Sequence, residues 1–206
     1  MSRLLNRPAC RPRLWALDPK VIYLNHGAFG ACPRAVLEYQ RKIRDRLERQ
    51  PIQFFVRDLE ELLDDARGQL AQFLGADAEG VVFVPNATTG VNTVLRSLRF
   101  KRGDELLVTD HEYNACRNAL NFIAERSGAR VIVANVPFPL RAKEEVMDAV
   151  LSRVTARTRL ALLDHFTSQT GLVLPIQTLV RKLAKHGVET LVDSSLLPQR
   201  GPSSCR

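Results

Sequence analysis

The chain has 206 residues, 45% of them hydrophobic and 25% charged, which is typical of a folded globular protein and excludes a disordered chain. No apolar run reaches the roughly 20 residues that a membrane-spanning helix needs. The four cysteines are widely spaced and form no CxxC pair, so we predict no metal site and no disulfide framework. Such cysteine usage favours a reducing, cytoplasmic location.

The first predicted elements are an irregular N-terminal arm at residues 1–33 and a basic helix at 34–49. Six Lys or Arg residues in that helix supply much of the net charge of +8. Glu38, Asp45 and Glu48 interrupt the basic residues, and no series of aromatic residues is available to stack on bases. We therefore expect a solvated or subunit-facing helix in preference to a nucleic-acid-binding surface.

Apolar, β-branched runs alternate with helical periodicity over residues 34–195, the predicted main domain. Strands are predicted at 81–84, 105–109, 130–134, 160–164 and 190–193, and helices at 58–74, 89–98, 114–126, 143–154 and 176–186. Gly75, Gly128 and Gly187 stand where helix C-terminal caps are expected. This alternation predicts an α/β fold with a mainly parallel sheet covered by helices on both faces, followed by an irregular tail at 196–206.

The most informative segment is 81–94 (VVFVPNATTGVNTV), where a short apolar strand leads through a small polar turn into a helix. The first backbone N–H groups of that helix, at Ala87, Thr88 and Thr89, have no acceptor within the helix and lie at the positive end of its dipole. Such a turn binds anions, and phosphate is the commonest of them. An ordinary threonine-capped helix is the alternative that these residues alone leave open.

Polar groups follow the other predicted strands at the sheet edge where α/β proteins bind ligands. His111 and Tyr113 offer rings after the second strand, Ser168 and Gln169 follow the fourth, and Asp193 ends the last. Together with the phosphate-binding turn they predict a site for a phosphorylated aromatic cofactor, because a carboxylate can keep a pyridine nitrogen protonated. Taken singly, the two rings could simply open a helix and Asp193 could cap a turn.

In this set of motifs the chain resembles the class V aminotransferase family of pyridoxal 5′-phosphate (PLP) enzymes, a part of the fold-type-I aspartate-aminotransferase superfamily, and particularly its isopenicillin-N-epimerase-like members. The matching segments are 23–30 (YLNHGAFG) with Pro33, Arg57 with 62–74, 86–92 (NATTGVN), 110–115 (DHEYNA), 167–175 (TSQTGLVLP) and 190–193 (TLVD). They occur in this order over residues 21–193, and the set is more specific than any of its members.

The resemblance implies a role for each matching residue. Those implied to contact the cofactor are Ala87, Thr88 and Thr89 at its phosphate, His111 or Tyr113 on its ring, Ser168 or Gln169 at its phenolic oxygen, and Asp193 at its pyridine nitrogen. Asn25 and His26 are implied to lie on the substrate side, and Arg57 to meet a substrate carboxylate, within one subunit or across a homodimer. The implied reactions transform amino acids by transamination, epimerisation or carbon–sulfur cleavage of the lyase or desulfurase type.

One part of the family pattern has no counterpart here. The family uses a lysine that forms a Schiff base with the cofactor and then acts as acid–base at the substrate α-carbon, and it follows the pyridine-nitrogen aspartate along the chain. No lysine follows Asp193 in this sequence, and the segment after it departs from the family pattern. We therefore expect a truncated member, lacking the last strands of the large domain and the C-terminal small domain, that is inactive alone as a transferase or isomerase.

The same truncation would leave the predicted strand at 81–84 without its neighbour in the family fold, which exposes an apolar edge. We therefore expect this chain to bind PLP weakly or not at all. The alternative is a non-catalytic module that binds a phosphorylated ligand, or that dimerises with a full-length relative through residues 1–49. Nucleic-acid binding through 34–49 is a third and weaker hypothesis.

Overall fold

The computed structural model describes residues 14–195, so the predicted tail at 196–206 and residues 1–13 of the predicted arm lie outside the described residues. The chain divides into two compact units, with the division between Val81 and Val82. Among the described residues, every helix is too short or too polar to span a bilayer. The domain bounds inferred from the sequence stay a prediction.

The first unit is helical in its described part. It contains α1 (Arg34–Arg49), α2 (Pro51–Gln53), a π-helical turn (Phe54–Asp58), α3 (Leu59–Leu74) and a 3-10 turn (Ala78–Gly80). Helix α3 agrees with the predicted helix at 58–74 to within one residue, and α2 and the π-helical turn directly before it were not predicted. Pro51 suits the start of α2, because its φ fits a first helical position and its missing N–H needs no acceptor there.

Helix α1 has the predicted bounds and contains no buried residue, as a solvated or subunit-facing helix would. Arg46 forms an ion pair with Asp58 at 2.7 Å, and Arg41 lies 3.7 Å from Glu38 on the same helix. Exposed ion pairs contribute little to stability, typically up to about 1 kcal/mol. They do compensate part of the basic charge, which weakens the case for an anionic partner at this helix.

The second unit is built on four parallel strands. These are β1 (Glu105–Thr109), β2 (Arg130–Ala134), β3 (Thr158–Asp164) and β4 (Glu189–Asp193). They lie in the order β2-β1-β3-β4, so β1 and β3 are central and β2 and β4 are the outer strands of the described sheet. Strand β1 is buried along its whole length, because a central parallel strand is covered on both faces.

Four helices cover this sheet. They are α4 (Ala87–Ser97), α5 (Asn114–Ser127), α6 (Lys143–Leu151) and α7 (Ile176–Lys185). Helices α4 and α5 pack with Leu106 and Leu162 on one face, while α6 and α7 pack with Leu107 and Leu163 on the other. Because neighbouring strand residues point to opposite faces, the unit has two apolar cores. The predicted α/β fold, a mainly parallel sheet with helices on both faces, is confirmed.

The predicted strand at 81–84 is wrong for this chain. Its residues form no ladder with any described strand, and Val82 and Phe83 are 78% and 51% exposed. An extended segment becomes a strand only when a neighbour exchanges backbone hydrogen bonds with it. No such neighbour is present among residues 14–195, which agrees with the expectation of an unpaired apolar segment here.

The glycines predicted to end helices adopt the left-handed conformation. Gly75 and Gly128 have φ values of 67° and 71° at the ends of α3 and α5, and Gly187 has a φ of 71° after α7. A Cβ added at Gly128 would also lie 3.4 Å from side-chain atoms of Arg102. A larger residue at Gly128 would therefore be strained by its φ, while its Cβ would be in ordinary van der Waals contact with Arg102.

The amino end of the sheet carries paired charges. Glu105, which is 2% exposed, accepts hydrogen bonds from the Thr155 hydroxyl and from Arg157 Nε, the latter at 3.0 Å. Arg130 lies 3.2 Å from the same carboxylate. The Thr155 hydrogen bond above all, with the arginines, holds the pKa of Glu105 below its ordinary value.

Candidate functional site

Polar side chains meet at the carboxyl edge of the sheet, meaning the ends of β1, β3 and β4 together with the loops that follow β1, β2 and β3. Because the strands are parallel, these ends lie together although they are far apart in sequence. Asp164 and Asp193 are register partners at the ends of β3 and β4. The groups in hydrogen-bond or close electrostatic contact at this edge are His111, Glu112, Cys116, Asp164, Thr170 and Asp193.

Asn86 caps helix α4, which begins at Ala87, earlier than predicted. The Asn86 Oδ1 atom accepts hydrogen bonds from the Thr89 backbone N–H at 2.8 Å and from the Thr89 hydroxyl at 3.0 Å. The Thr89 N–H, predicted to have no acceptor within the helix, is therefore accepted by the side chain of the cap residue. No described residue accepts from the N–H groups of Ala87 and Thr88, which remain available at the positive end of the helix.

His111 follows β1 and is 7% exposed, so protein atoms fix its ring from both sides. Nδ1 lies 2.8 Å from the Thr170 hydroxyl oxygen, and Nε2 lies 2.9 Å from the Val136 carbonyl oxygen. The Phe138 ring lies beside it, with the two centroids 6.3 Å apart. Tyr113, the other predicted stacking residue, precedes α5 and is 45% exposed.

Residues 167–171 form a tight turn after β3. Gly171, with a φ of 68°, donates its N–H to the Thr167 carbonyl oxygen at 3.0 Å, and Thr167 is fully buried at the base of the turn. Ser168 and Gln169, predicted to approach the phenolic oxygen of the cofactor, are exposed in this turn. Thr170, which was not predicted to act in the site, carries the hydroxyl that reaches His111.

Asp193 ends β4 and is 7% exposed. Its Oδ1 accepts the Ser195 N–H at 3.0 Å, and its Oδ2 accepts from the Cys116 thiol with sulfur and oxygen 3.5 Å apart. Burial first, and then the charge of Asp193, raise the pKa of Cys116 to about 12. The thiol therefore stays protonated at neutral pH and acts as a donor to the carboxylate, not as a nucleophile.

Three buried carboxyl groups share this edge: those of Glu112, Asp164 and Asp193. Both Glu112 oxygens and Asp164 Oδ2 have no hydrogen-bond donor among the described residues. Burial first, and then the charge of Asp164, raise the pKa of Glu112 to about 9, while burial raises that of Asp164 to about 6. At neutral pH Glu112 is therefore protonated, and its O–H is a donor that the neighbouring Asp164 carboxylate can accept.

Sequence reasoning missed Glu112 and Asp164, although each carries a signal. Glu112 lies next to His111 in the segment 110–115, and Asp164 ends a predicted apolar strand just as Asp193 does. Both positions point to the carboxyl edge of a parallel sheet. The absence of donors around them follows from packing between distant segments, which the local pattern does not contain.

The residues predicted to lie on the substrate side, Asn25, His26 and Arg57, belong to the first unit and are exposed there. The His26 ring packs edge-on against Tyr23 with centroids 4.9 Å apart, and it lies 5.9 Å from the Trp15 ring. Arg57 lies in the π-helical turn. Their roles toward a substrate stay predictions.

The second unit thus offers two regions of opposite electrostatic character on one face of its sheet. The start of α4 presents free N–H groups, which favour an anion. The carboxyl edge presents Asp164 and Asp193, which favour a cation. This arrangement suits an organic ligand with an anionic group at one end and a cationic group at the other. Over residues 14–195, no cluster of three or more His, Cys, Asp or Glu is arranged to hold a metal ion.

Comparison with known sequences identifies the family. The model of the aminotransferase class-V family matches residues 22–202. Isopenicillin N epimerase of Amycolatopsis lactamdurans is 37% identical over 186 residues, which cover 89% of this chain and 46% of that protein. A probable chloroplastic L-cysteine desulfhydrase of Arabidopsis thaliana is 32% identical over 186 residues, covering 84% of this chain and 39% of the relative.

Solved structures agree with this assignment. A complex of the cystine C-S lyase C-DES with its reaction product, cysteine persulfide, superposes with a TM-score of 0.77 at 27% identity, covering 84% of this chain and 47% of that one. The cysteine desulfurase CsdA of Escherichia coli, at 22% identity and a TM-score of 0.70, supports the fold alone. The chain spans about half the length of the relatives it matches. From the family match and these likenesses, the chain belongs to the class V aminotransferase family.

Proposed function

We propose that this chain is the cofactor-binding part of a PLP-dependent enzyme that acts on amino acids. The observation that carries the proposal is the placement of Asp193, a buried carboxylate at the carboxyl edge that accepts from the Ser195 N–H and the Cys116 thiol. A carboxylate in this position suits the protonated nitrogen of a pyridine ring. When bound, PLP supplies an electron sink for a substrate carbanion, and the carboxylate strengthens it.

The start of α4 fits the phosphate end of the same cofactor. The free N–H groups of Ala87 and Thr88 would donate to phosphate oxygens, aided by the helix dipole. Thr89 would join them only by exchanging its present acceptor, the Asn86 side chain, for phosphate. A ligand with phosphate at one end and a pyridine nitrogen at the other therefore matches the charges of both regions.

For the ring contact we favour His111 over Tyr113. Two hydrogen bonds fix the His111 imidazole at the carboxyl edge, whereas Tyr113 is 45% exposed. Ser168 or Gln169, both exposed in the turn after β3, is proposed to approach the phenolic oxygen.

The substrate side is proposed from the family and from two classes of relative. One relative is named an epimerase and another a cysteine desulfhydrase, so the proposed substrate is an amino acid changed at or next to its α-carbon. Asn25 and His26 would face it, and Arg57 would pair with its carboxylate. A homodimer is the proposed assembly of the whole protein.

The residues present do not include the amine that the family chemistry uses after the pyridine-nitrogen aspartate, since no lysine follows Asp193 in the sequence. They can bind and orient the cofactor, but they offer no base at the substrate α-carbon in that position. We therefore propose that these 206 residues alone bind PLP weakly and reversibly and turn over no amino acid.

NMR titration of the ¹⁵N-labelled chain tests this proposal. PLP should shift the amide signals of residues 86–90 together with those of the carboxyl edge, whereas inorganic phosphate should shift only the first group. Asp193→Asn should weaken the PLP response at the carboxyl edge, and Asp45→Asn on the exposed helix α1 is the matched control. An identical PLP response in Asp193→Asn and the wild type would overturn the cofactor assignment.

A second measurement tests the proposed lack of activity. Incubation with PLP followed by borohydride should leave no stoichiometric adduct on a single lysine. A stoichiometric adduct at one position, together with consumption of an amino acid, would refute the proposed lack of activity. The proposed cofactor would be unaffected by that result.

A further inference from the structure

The His111 ring is held by a chain of hydrogen bonds that starts in the turn after β3. The Leu172 N–H donates to Thr167 Oγ1 at 2.8 Å, and Thr167 Oγ1 lies 2.8 Å from Thr170 Oγ1. Thr170 Oγ1 in turn lies 2.8 Å from His111 Nδ1. Thr167 is fully buried and His111 nearly so, which excludes water from much of this chain.

The surroundings of Nε2 determine which ring nitrogen carries the proton. Nε2 lies 2.9 Å from the Val136 carbonyl oxygen and 3.7 Å from Asp110 Oδ1. That carboxylate oxygen also accepts the Val136 N–H at 2.9 Å, so it is an acceptor in this position. Because Nε2 meets only acceptors, it must be the donor.

The hydroxyl groups have one direction that uses only the short contacts. A backbone N–H can only donate, so Thr167 Oγ1 accepts from Leu172. The Thr167 hydroxyl then has two acceptors within reach, Thr170 Oγ1 at 2.8 Å and the Leu172 carbonyl oxygen at 3.5 Å, and the shorter contact favours donation to Thr170. Thr170 can then donate to His111 Nδ1 at 2.8 Å. In this arrangement Nε2 carries a proton and Nδ1 is the acceptor.

We infer that Thr167 and Thr170 are positioning residues that hold the His111 imidazole in one fixed ring plane, with Nε2–H as a donor and Nδ1 as an acceptor. The relevance of this arrangement to PLP rests on the proposed function. The hydrogen-bond chain itself is a property of the protein and is testable without any ligand.

Long-range ¹H–¹⁵N NMR of the ligand-free chain tests the inference directly. The sequence contains four histidines, so loss of one set of signals in His111→Gln assigns the ring. At neutral pH the wild type should show a pyridine-like Nδ1 and a pyrrole-like Nε2 for His111. A pyrrole-like Nδ1, or two averaged nitrogen frequencies, would overturn the inference.

Substitutions separate positioning from general structural effects. Thr170→Val removes the donor to Nδ1, so the two ring nitrogen frequencies should move toward each other as the ring exchanges between forms, and Thr170→Ser should restore the wild-type values. Thr190→Val is the matched control, because the Thr190 hydroxyl is buried and has no partner among the described residues. Wild-type His111 frequencies in Thr170→Val would contradict the inference.

Thr167→Val provides an independent variant in case Thr170→Val does not fold. It should produce a smaller shift in the same direction, since Thr170 keeps its contact with His111 but loses its own donor. Unchanged ring frequencies in Thr167→Val would remove Thr167 from the assignment. A failed PLP titration would count against the proposed function and would leave these ligand-free results standing.

Discussion

Asp164 and Asp193 are register partners on adjacent parallel strands, so two buried carboxyl groups stand side by side at one end of the sheet. Neighbouring strands are only about 4.8 Å apart, which makes this pairing unfavourable when both groups are charged. Protonation of Glu112 reduces part of this electrostatic cost, because the Glu112 O–H is then a hydrogen-bond donor that Asp164 can accept. A cationic group bound at this edge would relieve the remainder.

Glu112→Gln is expected to flatten the pH dependence of stability. The pKa of Glu112 is 4.5 ordinarily and about 9 in the folded chain, so between these values the folded state keeps a proton that the unfolded state has lost. The wild-type free energy of unfolding therefore falls as pH rises, by up to about 1.4 kcal/mol per pH unit for a single group. Glutamine still offers a donor to Asp164 but does not titrate. Urea unfolding across this pH window measures the difference.

Glu105→Gln is the control with the opposite sign. The pKa of Glu105 is lowered by Thr155 and the arginines, so its contribution to stability is present above its ordinary pKa of 4.5 and is lost as pH falls. This substitution should destabilise the chain at neutral pH and have less effect in acid. Parallel stability curves for the wild type and Glu112→Gln would show that Glu112 does not retain a proton in the folded state.

Cys116 is expected to be unreactive in the folded chain. Burial and Asp193 raise its pKa to about 12, so almost none of it is thiolate at neutral pH. In a Cys10→Ser, Cys32→Ser, Cys205→Ser background, a thiol reagent such as DTNB should react only after denaturant is added. Rapid reaction of the native variant would mean that the thiol is accessible and ionised, contrary to the described hydrogen bond to Asp193.

Asn86→Ala should destabilise the chain by about 1 kcal/mol, the usual cost of losing a helix N-cap. The Asn86 side chain accepts from both donors of Thr89, and serine at this position should retain most of the effect. Denaturant midpoints of the two variants give the comparison. The alanine variant also frees the Thr89 N–H, so inorganic phosphate should shift the Thr89 amide signal more than in the wild type. Equal stability of the alanine and serine variants would contradict the cap.

Phe83→Ser and Leu107→Ala should differ sharply in stability. Leu107 is fully buried in the core between the sheet, α6 and α7, and its truncation should cost about 2–5 kcal/mol. Phe83 is 51% exposed in a segment without strand partners, so serine there should change stability by less than about 0.5 kcal/mol. A large loss in Phe83→Ser would place this segment in a core that the structure does not show.

The sequence predicted elements whose formation depends on their own residues. Strands β1 and β2 have the predicted bounds because polar residues flank their apolar runs, and the capping glycines mark helix ends by their conformation. The strand predicted at 81–84 was wrong, because a strand forms only beside a neighbouring strand. The residues at 81–84 do not by themselves determine whether such a neighbour is present. The sequence pattern also did not predict that the Asn86 side chain accepts the Thr89 N–H.

The candidate site was only partly predictable, because its chemistry depends on contacts between distant segments. Asp193 and His111 could be proposed from motif order, but the raised pKa of Glu112 depends on burial without hydrogen-bond donors among the described residues. Likewise, Thr170 reaches His111 only because the loops after β1 and β3 lie side by side. Local patterns identify the residue types, and the parallel sheet brings them together.

The sheet order β2-β1-β3-β4 also has a consequence for how the carboxyl edge forms during folding. Strands β1 and β3 are neighbours in the sheet, but α5, β2 and α6 lie between them in the sequence. Pairing between segments so far apart in sequence forms slowly. Asp193 arrives with β4, the last described strand. Asp193 is one of the charges that raise the pKa of Glu112 and of Asp164, so this part of the electrostatics of the carboxyl edge is added only when β4 docks on β3.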